Sequence, residues 1–93
     1  MKKIFISGGN GFLGKFLIKE LKNNYNISAP SSKKCNLLNF NDLKKIKKKF
    51  DYIFHLAAWT QAGDFCLKYP GDQWIINQQI NTNILKWWKD YNP

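Results

Sequence analysis

Four glycines near the amino terminus are spaced in a way that suits the binding of a phosphate group. Gly8, Gly9, Gly11 and Gly14 follow a short apolar run at residues 4–6 and precede an amphipathic stretch. They fit two patterns, Gly9-x-Gly11-x-x-Gly14 and the wider Gly8-x-x-Gly11-x-x-Gly14. In a turn between a strand and a helix, an early glycine allows a tight turn and Gly11 lets the backbone approach a pyrophosphate. Gly14 then lets the helix pack closely on the strand.

The elements around these glycines decide between two interpretations of the pattern. A glycine-rich turn can also bind nothing, and the pattern alone is a weak signal. Here, however, a strand is predicted before the turn and a helix after it, close to the amino terminus, as a dinucleotide site requires. The unpaired N–H groups and the positive dipole end of that helix would then face the phosphates. We therefore favour a dinucleotide site.

The composition fits one small globular domain with neither a nucleic-acid nor a membrane partner. The net charge of the 93 residues is +9, but every basic residue is lysine, whereas nucleic-acid readers usually rely on arginine. No uncharged apolar run reaches the roughly 18 residues of a membrane span, and the first apolar run is too short for a signal peptide, so we expect a cytoplasmic protein. A densely basic cluster is expected on the solvated face of a helix: Lys44, Lys45, Lys47, Lys48 and Lys49.

Cysteine and histidine usage indicates neither a disulfide nor a metal site. Cys35 and Cys66 lie far apart and lack the spacing of metal ligands, so we expect free thiols in a reducing compartment. The single histidine, His55, has no set of Cys, Asp or Glu ligands around it in the sequence. We therefore expect no metal.

The hydrophobic pattern predicts strands and helices in alternation. Strands are expected near residues 3–7, 26–30 and 51–58, and helices near 12–23, 42–49 and 72–90, with Asn41 as N-cap of the middle helix. This order predicts an α/β fold with a parallel sheet and right-handed crossovers. The side chains expected to face inward are Leu13, Phe16, Leu17 and Leu21, then Leu43, Ile46 and Phe50, and on the last helix Trp74, Ile76, Ile80, Ile84, Leu85 and Trp88.

Four sequence blocks, spread over essentially the whole chain, point to one family. They are the glycine turn at residues 6–14, Asn36-Leu37-Leu38-Asn39, His55-Leu56-Ala57-Ala58, and Asn77 with Asn83-Ile84-Leu85. With these blocks the chain resembles the N-terminal part of the extended short-chain dehydrogenase/reductases, the NAD(P)-dependent epimerase/dehydratases that act on nucleotide sugars. The spacing from Ala57-Ala58 to Tyr69-Pro70 is similar to that of the GDP-fucose synthase branch.

The resemblance implies a fold and a cofactor site. Residues 1–93 would form the first βαβαβα part of a Rossmann-like, doubly wound parallel sheet with three layers, an incomplete NAD(P)-binding domain. The glycine turn would cradle the pyrophosphate, with the N–H groups of Phe12 and Leu13 as donors. The segment 36–37 would lie against the adenine, and Ala57 and Ala58 beneath the ribose and phosphates, where strands end. His55 also matches a family position, and we expect a packed strand histidine rather than a catalytic one.

The choice between NAD and NADP can be argued from the residues about 20 positions beyond the glycines. An NAD site places Asp or Glu there to hold the ribose 2′-hydroxyl. Here Ser31, Ser32, Lys33 and Lys34 occupy the position, and hydroxyl and ammonium groups suit a 2′-phosphate, so NADP(H) is predicted over NAD. The alternative is that the lysine pair merely reflects a lysine-rich chain. The complete predicted cofactor set is Gly8, Asn10, Gly11, Phe12, Leu13, Gly14, Ser31, Ser32, Lys33, Asn36, Leu37, Leu56, Ala57 and Ala58.

The catalytic pair of the family does not occur in this sequence. The family uses Tyr-x-x-x-Lys, yet Ala29, Leu56 and Gln73 stand four residues after Tyr25, Tyr52 and Tyr69. We therefore expect no catalytic residue in this chain. A nucleotide-sugar substrate and a homodimer are expected only for a full-length enzyme. The alternative is a binding module or decayed paralogue without chemistry.

The predicted sheet has an unusual edge. In the strand order 3-2-1-4-5-6 the first strand pairs with a fourth strand, which this sequence does not reach. We therefore expect one side of the first strand, residues 4–7, to lie open, a hazard for aggregation. Either the chain is the front of a longer enzyme or it is a remnant that pairs with a partner.

Overall fold

A computed structural model of the protein describes residues 1–58 and 70–91. The described residues form strands and helices in alternation, confirming the predicted α/β class. In chain order they are β1 (Lys3–Ser7), α1 (Phe12–Leu21), β2 (Asn26–Ser28), α2 (Phe40–Lys44), β3 (Tyr52–His55) and α3 (Pro70–Tyr91). The strands β2 and β3 are shorter than predicted, because the segments after them leave the sheet to form a wall of a cavity described below.

The sheet order contradicts the predicted open edge of the first strand. The described strands run in the order β2-β1-β3, and β1 pairs in parallel with both neighbours. Lys3 is opposite Asn26 on one side, and Ile4 is opposite Tyr52 on the other. The third strand of the chain thus takes the place that the prediction reserved for a fourth strand, so β1 is central and has no free side.

The contacts that precede β3 explain why it returns to β1 instead of extending the sheet beyond β2. The ring of Phe50 packs against Phe5 of β1, with ring centroids 5.5 Å apart. Next to it, the Asp51 carboxylate accepts a hydrogen bond from the Lys3 N–H at 2.8 Å, and the Asp51 N–H donates to the Lys3 carbonyl. Both contacts fix the start of β3 beside the start of β1.

The main core lies on one face of the sheet, between β1 and the helices α2 and α3. Phe5 and Trp87 are fully buried, and their ring centroids are 4.7 Å apart. Ile4 and Ile6 are also buried, and they point to the opposite face because side chains alternate along a strand. Right-handed crossovers place α1 on that opposite face, so the fold has three layers. The core cluster is completed by Cys35, Leu43 and Ile84.

The buried face of α3 differs from the predicted one. Trp74, Leu85 and Trp88 were expected to face inward but are 70%, 60% and 46% exposed, respectively. Trp87, which was not predicted, is buried, and its indole N–H donates to the Ile46 carbonyl at 3.0 Å. The buried residues Ile80, Ile84 and Trp87 follow the i, i+4, i+7 spacing of one helical face. Within residues 1–58 and 70–91, no helix is both long and apolar enough to cross a membrane.

The predicted inner face of α1 is also partly wrong. Leu13 and Phe16 are each 59% exposed, whereas Gly14 is buried and Leu17 and Ile18 are half-buried. The helix is rotated in this way because Gly14 must lie against the turn that precedes α1, as shown below.

The middle helix is shorter than predicted and begins earlier. Asn39, not Asn41, is the N-cap, and its side-chain oxygen accepts a hydrogen bond from the Asn41 N–H. Because α2 ends at Lys44, most of the lysine cluster follows the helix instead of forming its outer face. All five lysines are nevertheless exposed, and Leu43, Ile46 and Phe50 pack in or against the core as expected.

Candidate functional site

A cavity of about 310 Å³ lies at the carboxyl ends of the parallel strands, a volume at the small end of the range for ligand sites. The segments that follow β1, β2 and β3 each contribute to its wall, as expected for a ligand site in an open α/β sheet. Nine of the fourteen predicted site residues line it: Gly8, Asn10, Gly11, Ser31, Ser32, Asn36, Leu37, Ala57 and Ala58.

The other five predicted residues do not line this cavity. The side chain of Phe12 is 92% exposed and Leu13 lies beside it at the start of α1, so any role of these two belongs to their backbone N–H groups. Gly14 is buried behind the turn. Lys33 is exposed in the turn after Ser32, and Leu56 is half-buried with its N–H bonded to the Ser7 carbonyl.

Gly8 is required by the backbone of the turn. It has a φ of 77°, the single positive φ among the described residues, and this conformation strongly favours glycine. A Cβ at Gly8 would also lie 2.8 Å from the Ala57 nitrogen. Gly8 therefore brings the glycine turn against the segment after β3.

Gly14 is required by the packing of α1 on the same turn. A Cβ at this position would overlap the Gly8 carbonyl oxygen and lie 2.8 Å from the Gly9 Cα. The prediction was that Gly14 lets the helix pack closely on the strand. In the structure its close contacts are with Gly8 and Gly9 of the turn. Neither the oxygen nor the Cα can move without disrupting the turn, so Gly14 is a structural glycine.

Gly11 differs from the other two because the fold does not need a glycine there. Its φ of −75° and ψ of 172° are open to any residue. A Cβ at Gly11 would meet one atom within 4 Å, the Gly8 carbonyl oxygen at an ordinary 3.4 Å. Gly11 is exposed and lines the cavity, so a side chain added here would enter open space at the cavity wall.

The start of α1 is open for an anion. Gly11 is the N-cap and offers no side-chain cap, and no acidic residue lies in the first turn. The first N–H groups of a helix have no intrahelical acceptor, and their partial positive charge attracts phosphate oxygens. The arrangement therefore provides donors at the point where Gly11 leaves room.

The segment after β2 forms a fixed wall of the cavity. The Asn36 N–H donates to the Asp42 carboxylate at 2.9 Å, and the Asn36 side-chain oxygen accepts from the Leu38 N–H at 3.1 Å. From α3, the Asn83 side-chain nitrogen donates to the Leu37 carbonyl at 2.8 Å. Because two helices hold this segment, its place in the cavity does not depend on a ligand.

The described cavity wall carries no carboxylate. The hydroxyls of Ser31 and Ser32 line it, and the exposed ammonium groups of Lys33 and Lys34 follow directly. Cys35 also lines the cavity, where burial raises the pKa of its thiol and the Asp42 carboxylate raises it further. The thiol therefore stays protonated at neutral pH, and this end of the cavity is neutral to positive.

A row of polar groups, not predicted from the sequence, stands beside the cavity. Ser7 Oγ lies 2.6 Å from His55 Nδ1, and His55 Nε2 lies 2.7 Å from Asn81 Oδ1. Similar residue types form the catalytic triads of hydrolases. Here Ser7 is 3% exposed and already accepts a hydrogen bond from the Ala57 N–H at 3.2 Å, so the group holds the backbone and is not a nucleophile.

The sequence offered partial signals for these additional residues. Ser7 directly precedes the glycine turn, and Asn81 stands one helical turn after Asn77. Their contact with His55 spans 48 and 26 residues in the chain, which a sequence pattern does not reveal. In the part of the chain that the structure describes, no group of three His, Cys, Asp or Glu side chains could hold a metal ion.

Comparison with known proteins matches one family over nearly the whole chain. The model of the NAD dependent epimerase/dehydratase family matches residues 4–93. No curated protein matches the sequence.

Several solved structures share the fold of this chain. The dTDP-4-dehydrorhamnose reductase from Yersinia enterocolitica is 31% identical, with a TM-score of 0.75 over 96% of this chain and 32% of its own. The same enzyme from Bacillus anthracis, in complex with NADP, is 28% identical, with a TM-score of 0.73 over 89% of this chain and 30% of its own.

A GDP-L-fucose synthetase from Naegleria fowleri, bound to NADP, also shares the fold. It is 24% identical, with a TM-score of 0.69 over 97% of this chain and 28% of its own. This enzyme represents the branch suggested by the spacing to Tyr69-Pro70, and at this identity the likeness is one of fold; Tyr69 itself lies outside the described residues. The chain thus spans about a third or less of the length of these three enzymes.

Proposed function

Because the chain belongs to the NAD dependent epimerase/dehydratase family, we propose that it is the N-terminal cofactor-binding part of an NADP(H)-dependent enzyme that acts on a nucleotide sugar. Within that enzyme the chain would hold the ADP-ribose half of the dinucleotide. When bound, the nicotinamide gives a hydride to a sugar carbon or accepts one from it. The family's Tyr and Lys pair is absent from these residues, so the proposal assigns binding and positioning to this chain.

The observation that carries the proposal is the glycine at position 11. Neither its backbone angles nor its packing require glycine, yet it lines the cavity and is the N-cap of α1, next to the first N–H groups of that helix. A pyrophosphate needs both features at one place: free donors, and no side chain that keeps its oxygens away.

The walls of the cavity suit the rest of the ADP-ribose half. Leu37 and Leu38 offer an apolar wall for an adenine ring, and the small side chains of Ala57 and Ala58 leave room for a ribose. The solved structures of the reductase and the synthetase with bound NADP support a nicotinamide dinucleotide as the ligand.

The proposal is tested by titrating the 93-residue chain with NADPH in a calorimeter. Because the chain would contact half of the dinucleotide, we expect saturable binding in the micromolar to millimolar range. ADP-ribose 2′-phosphate, which lacks the nicotinamide, should bind with nearly the same affinity. An absence of heat up to several millimolar NADPH would overturn the proposal. So would nicotinamide mononucleotide binding as tightly as NADPH, because the nicotinamide half and not the ADP-ribose half would then account for the affinity.

The choice of NADP(H) over NAD(H) predicts a selective effect of charge reversal at Lys33 and Lys34. Replacing both with Glu should weaken NADPH binding by roughly tenfold or more, since two attractive contacts to the 2′-phosphate become repulsive. NADH, which lacks that phosphate, should change by less than about threefold. Both affinities are measured by calorimetry at low salt.

A matched control distinguishes a local contact with the 2′-phosphate from an effect of the net charge of the whole protein. The double change Lys48→Glu and Lys49→Glu alters the net charge equally, at exposed lysines that precede β3 and so lie towards the amino ends of the strands, away from the cavity. It should leave the ratio of NADPH to NADH affinity unchanged. If the Lys33 and Lys34 changes lower both affinities equally, these lysines do not recognise the 2′-phosphate.

A further inference from the structure

A continuous row of hydrogen bonds joins α3 to the cavity. It runs from the Ala57 N–H to Ser7 Oγ at 3.2 Å, from Ser7 Oγ to His55 Nδ1 at 2.6 Å, and from His55 Nε2 to Asn81 Oδ1 at 2.7 Å. Ser7 and Ala57 line the cavity, and so does Ile80, the neighbour of Asn81. We call Ala57, Ser7, His55 and Asn81 the polar row.

The chemistry of its members gives the polar row one direction. The backbone N–H of Ala57 can donate but not accept, and the amide oxygen of Asn81 can accept but not donate. His55 Nε2 must therefore carry a proton, and in the neutral ring Nδ1 then presents a lone pair. The Ser7 hydroxyl donates to that lone pair while its oxygen accepts from the Ala57 N–H.

We propose that Asn81 is a positioning residue that sets the floor of the dinucleotide cavity through His55 and Ser7. Asn81 fixes the tautomer of His55, the tautomer fixes the rotation of the Ser7 hydroxyl, and the hydroxyl oxygen holds the Ala57 N–H. As regards the ligand, the proposal rests on the dinucleotide function proposed above.

The position of Ala57 matters because the glycine turn lies directly against it. A Cβ at Gly8 would be 2.8 Å from the Ala57 nitrogen, so the two segments are in close contact. A shift of Ala57 therefore displaces Gly8, and with Gly8 the turn that presents Gly11 and the start of α1. Because the Ala57 N–H already donates to Ser7 Oγ, it is not free for a phosphate. The phosphates would therefore accept hydrogen bonds from the N–H groups at the start of α1.

The polar row further explains why α3 carries the polar residue Asn81 on the side that faces His55 of β3. The helix packs on the core through the apolar residues Ile80, Ile84 and Trp87, and apolar contacts tolerate small shifts along the helix axis. Its hydrogen bonds to the Leu37 and Ile46 carbonyls hold it to segments outside the sheet. A directed hydrogen bond from His55 to Asn81 does not tolerate such shifts. It ties one position of α3 to one position of β3.

The tautomer of His55 is the first test. The chain has a single histidine, so a ¹⁵N spectrum of the ring nitrogens shows one pair of signals without assignment. In the wild-type chain at about pH 8, Nε2 should show the shift of a protonated nitrogen and Nδ1 that of an unprotonated one. The reverse assignment would overturn the proposal, since Asn81 would then be the donor.

The second test follows the effect of Asn81 on Ala57 with three variants. Asn81→Leu removes the acceptor, Asn81→Gln retains an uncharged amide oxygen as acceptor, and Gln79→Leu makes the same type of change at an exposed position of the same helix. Hydrogen exchange of the Ala57 amide should become about tenfold faster in Asn81→Leu, because its acceptor is no longer held. Asn81→Gln and Gln79→Leu should retain the protection of the wild type.

The binding of NADPH provides the functional readout. Asn81→Leu should weaken binding by roughly three- to tenfold, as expected for the loss of one hydrogen bond, and the uncharged Asn81→Gln should retain it. An unchanged Ala57 exchange rate in Asn81→Leu would overturn the proposal, and so would an altered exchange rate with unchanged affinity. If the wild-type chain binds no NADPH, the proposed function fails on that result alone, and tautomer and exchange still decide whether Asn81 governs Ala57.

Discussion

Gly11→Val is expected to abolish NADPH binding while the protein stays folded. The backbone angles of Gly11 suit valine, and its Cβ would meet no atom closer than 3.4 Å, so the substitution does not strain the chain. Its two methyl groups would stand at the cavity wall beside the first N–H groups of α1, where the proposed function places the pyrophosphate. We expect a loss of at least about a hundredfold in affinity, equivalent to ~2.7 kcal/mol, measured by calorimetry.

Two other glycines serve as controls for this result. Gly71→Val places the same side chain at a glycine with no atom within 4 Å of the new Cβ, and it should leave both binding and the fold intact. Gly14→Ala should instead unfold or strongly destabilise the protein, since its Cβ would overlap the Gly8 carbonyl oxygen. If Gly11→Val binds NADPH as the wild type does, the pyrophosphate does not lie at this turn.

Trp87→Ala is expected to lower the free energy of unfolding by about 3–5 kcal/mol, the usual loss for a buried aromatic residue cut back to alanine. Trp87 is fully buried, contacts the rings of Phe5 and Phe50, and donates to the Ile46 carbonyl. The loss is a large part of the stability of a small domain. Urea unfolding followed by circular dichroism measures it.

The next residue in the chain provides the matched control. Trp88 is 46% exposed, so Trp88→Ala should cost less than about 1 kcal/mol. If Trp87→Ala fails to fold, Trp87→Phe, which keeps a ring but removes the indole N–H, should fold with a smaller loss. Equal losses at positions 87 and 88 would contradict the assignment of the buried face of α3.

The sequence was sufficient to predict the types of element but not the order of the strands. Each strand and helix has a local pattern, for example the apolar run before Gly8, the stripe after it, and the mostly apolar run that begins at Tyr52. The side of β1 on which β3 pairs is decided by contacts of Phe50 and Asp51 with residues near 3–5. Such contacts span about half of the chain, and no local pattern encodes them.

The buried face of α3 shows a second limit of sequence reasoning. Trp87 and Trp88 are adjacent and chemically identical, so composition cannot tell which one faces the core. The prediction chose Trp88 with Leu85, a stripe of similar spacing. The choice is made by tertiary contacts, namely the Phe5 ring and the Ile46 carbonyl, and these override the helical pattern.

Most of the candidate site could be predicted because its parts are local. The turn from Gly8 to Gly14 is one continuous segment whose glycines have individual physical reasons, and the segments 31–37 and 57–58 follow directly from strand ends. The polar groups contributed from a distance, Ser7 with Asn81, could not be predicted. Their roles depend on the His55 ring between them, which joins three elements.

The central place of β1 has a consequence for the order in which the protein folds. Lys3 meets Asn26 across one edge, whereas Ile4 meets Tyr52 across the other, so the second pairing closes a loop about twice as long. Doubling a loop adds about 0.6 kcal/mol of closure entropy, and pairings distant in sequence form slowly. We expect the β1–β2 ribbon to form first and β3 to dock last. The half of the cavity that contains Ala57 is then assembled in the final step, so a nascent chain presents its glycine turn before it can hold a ligand.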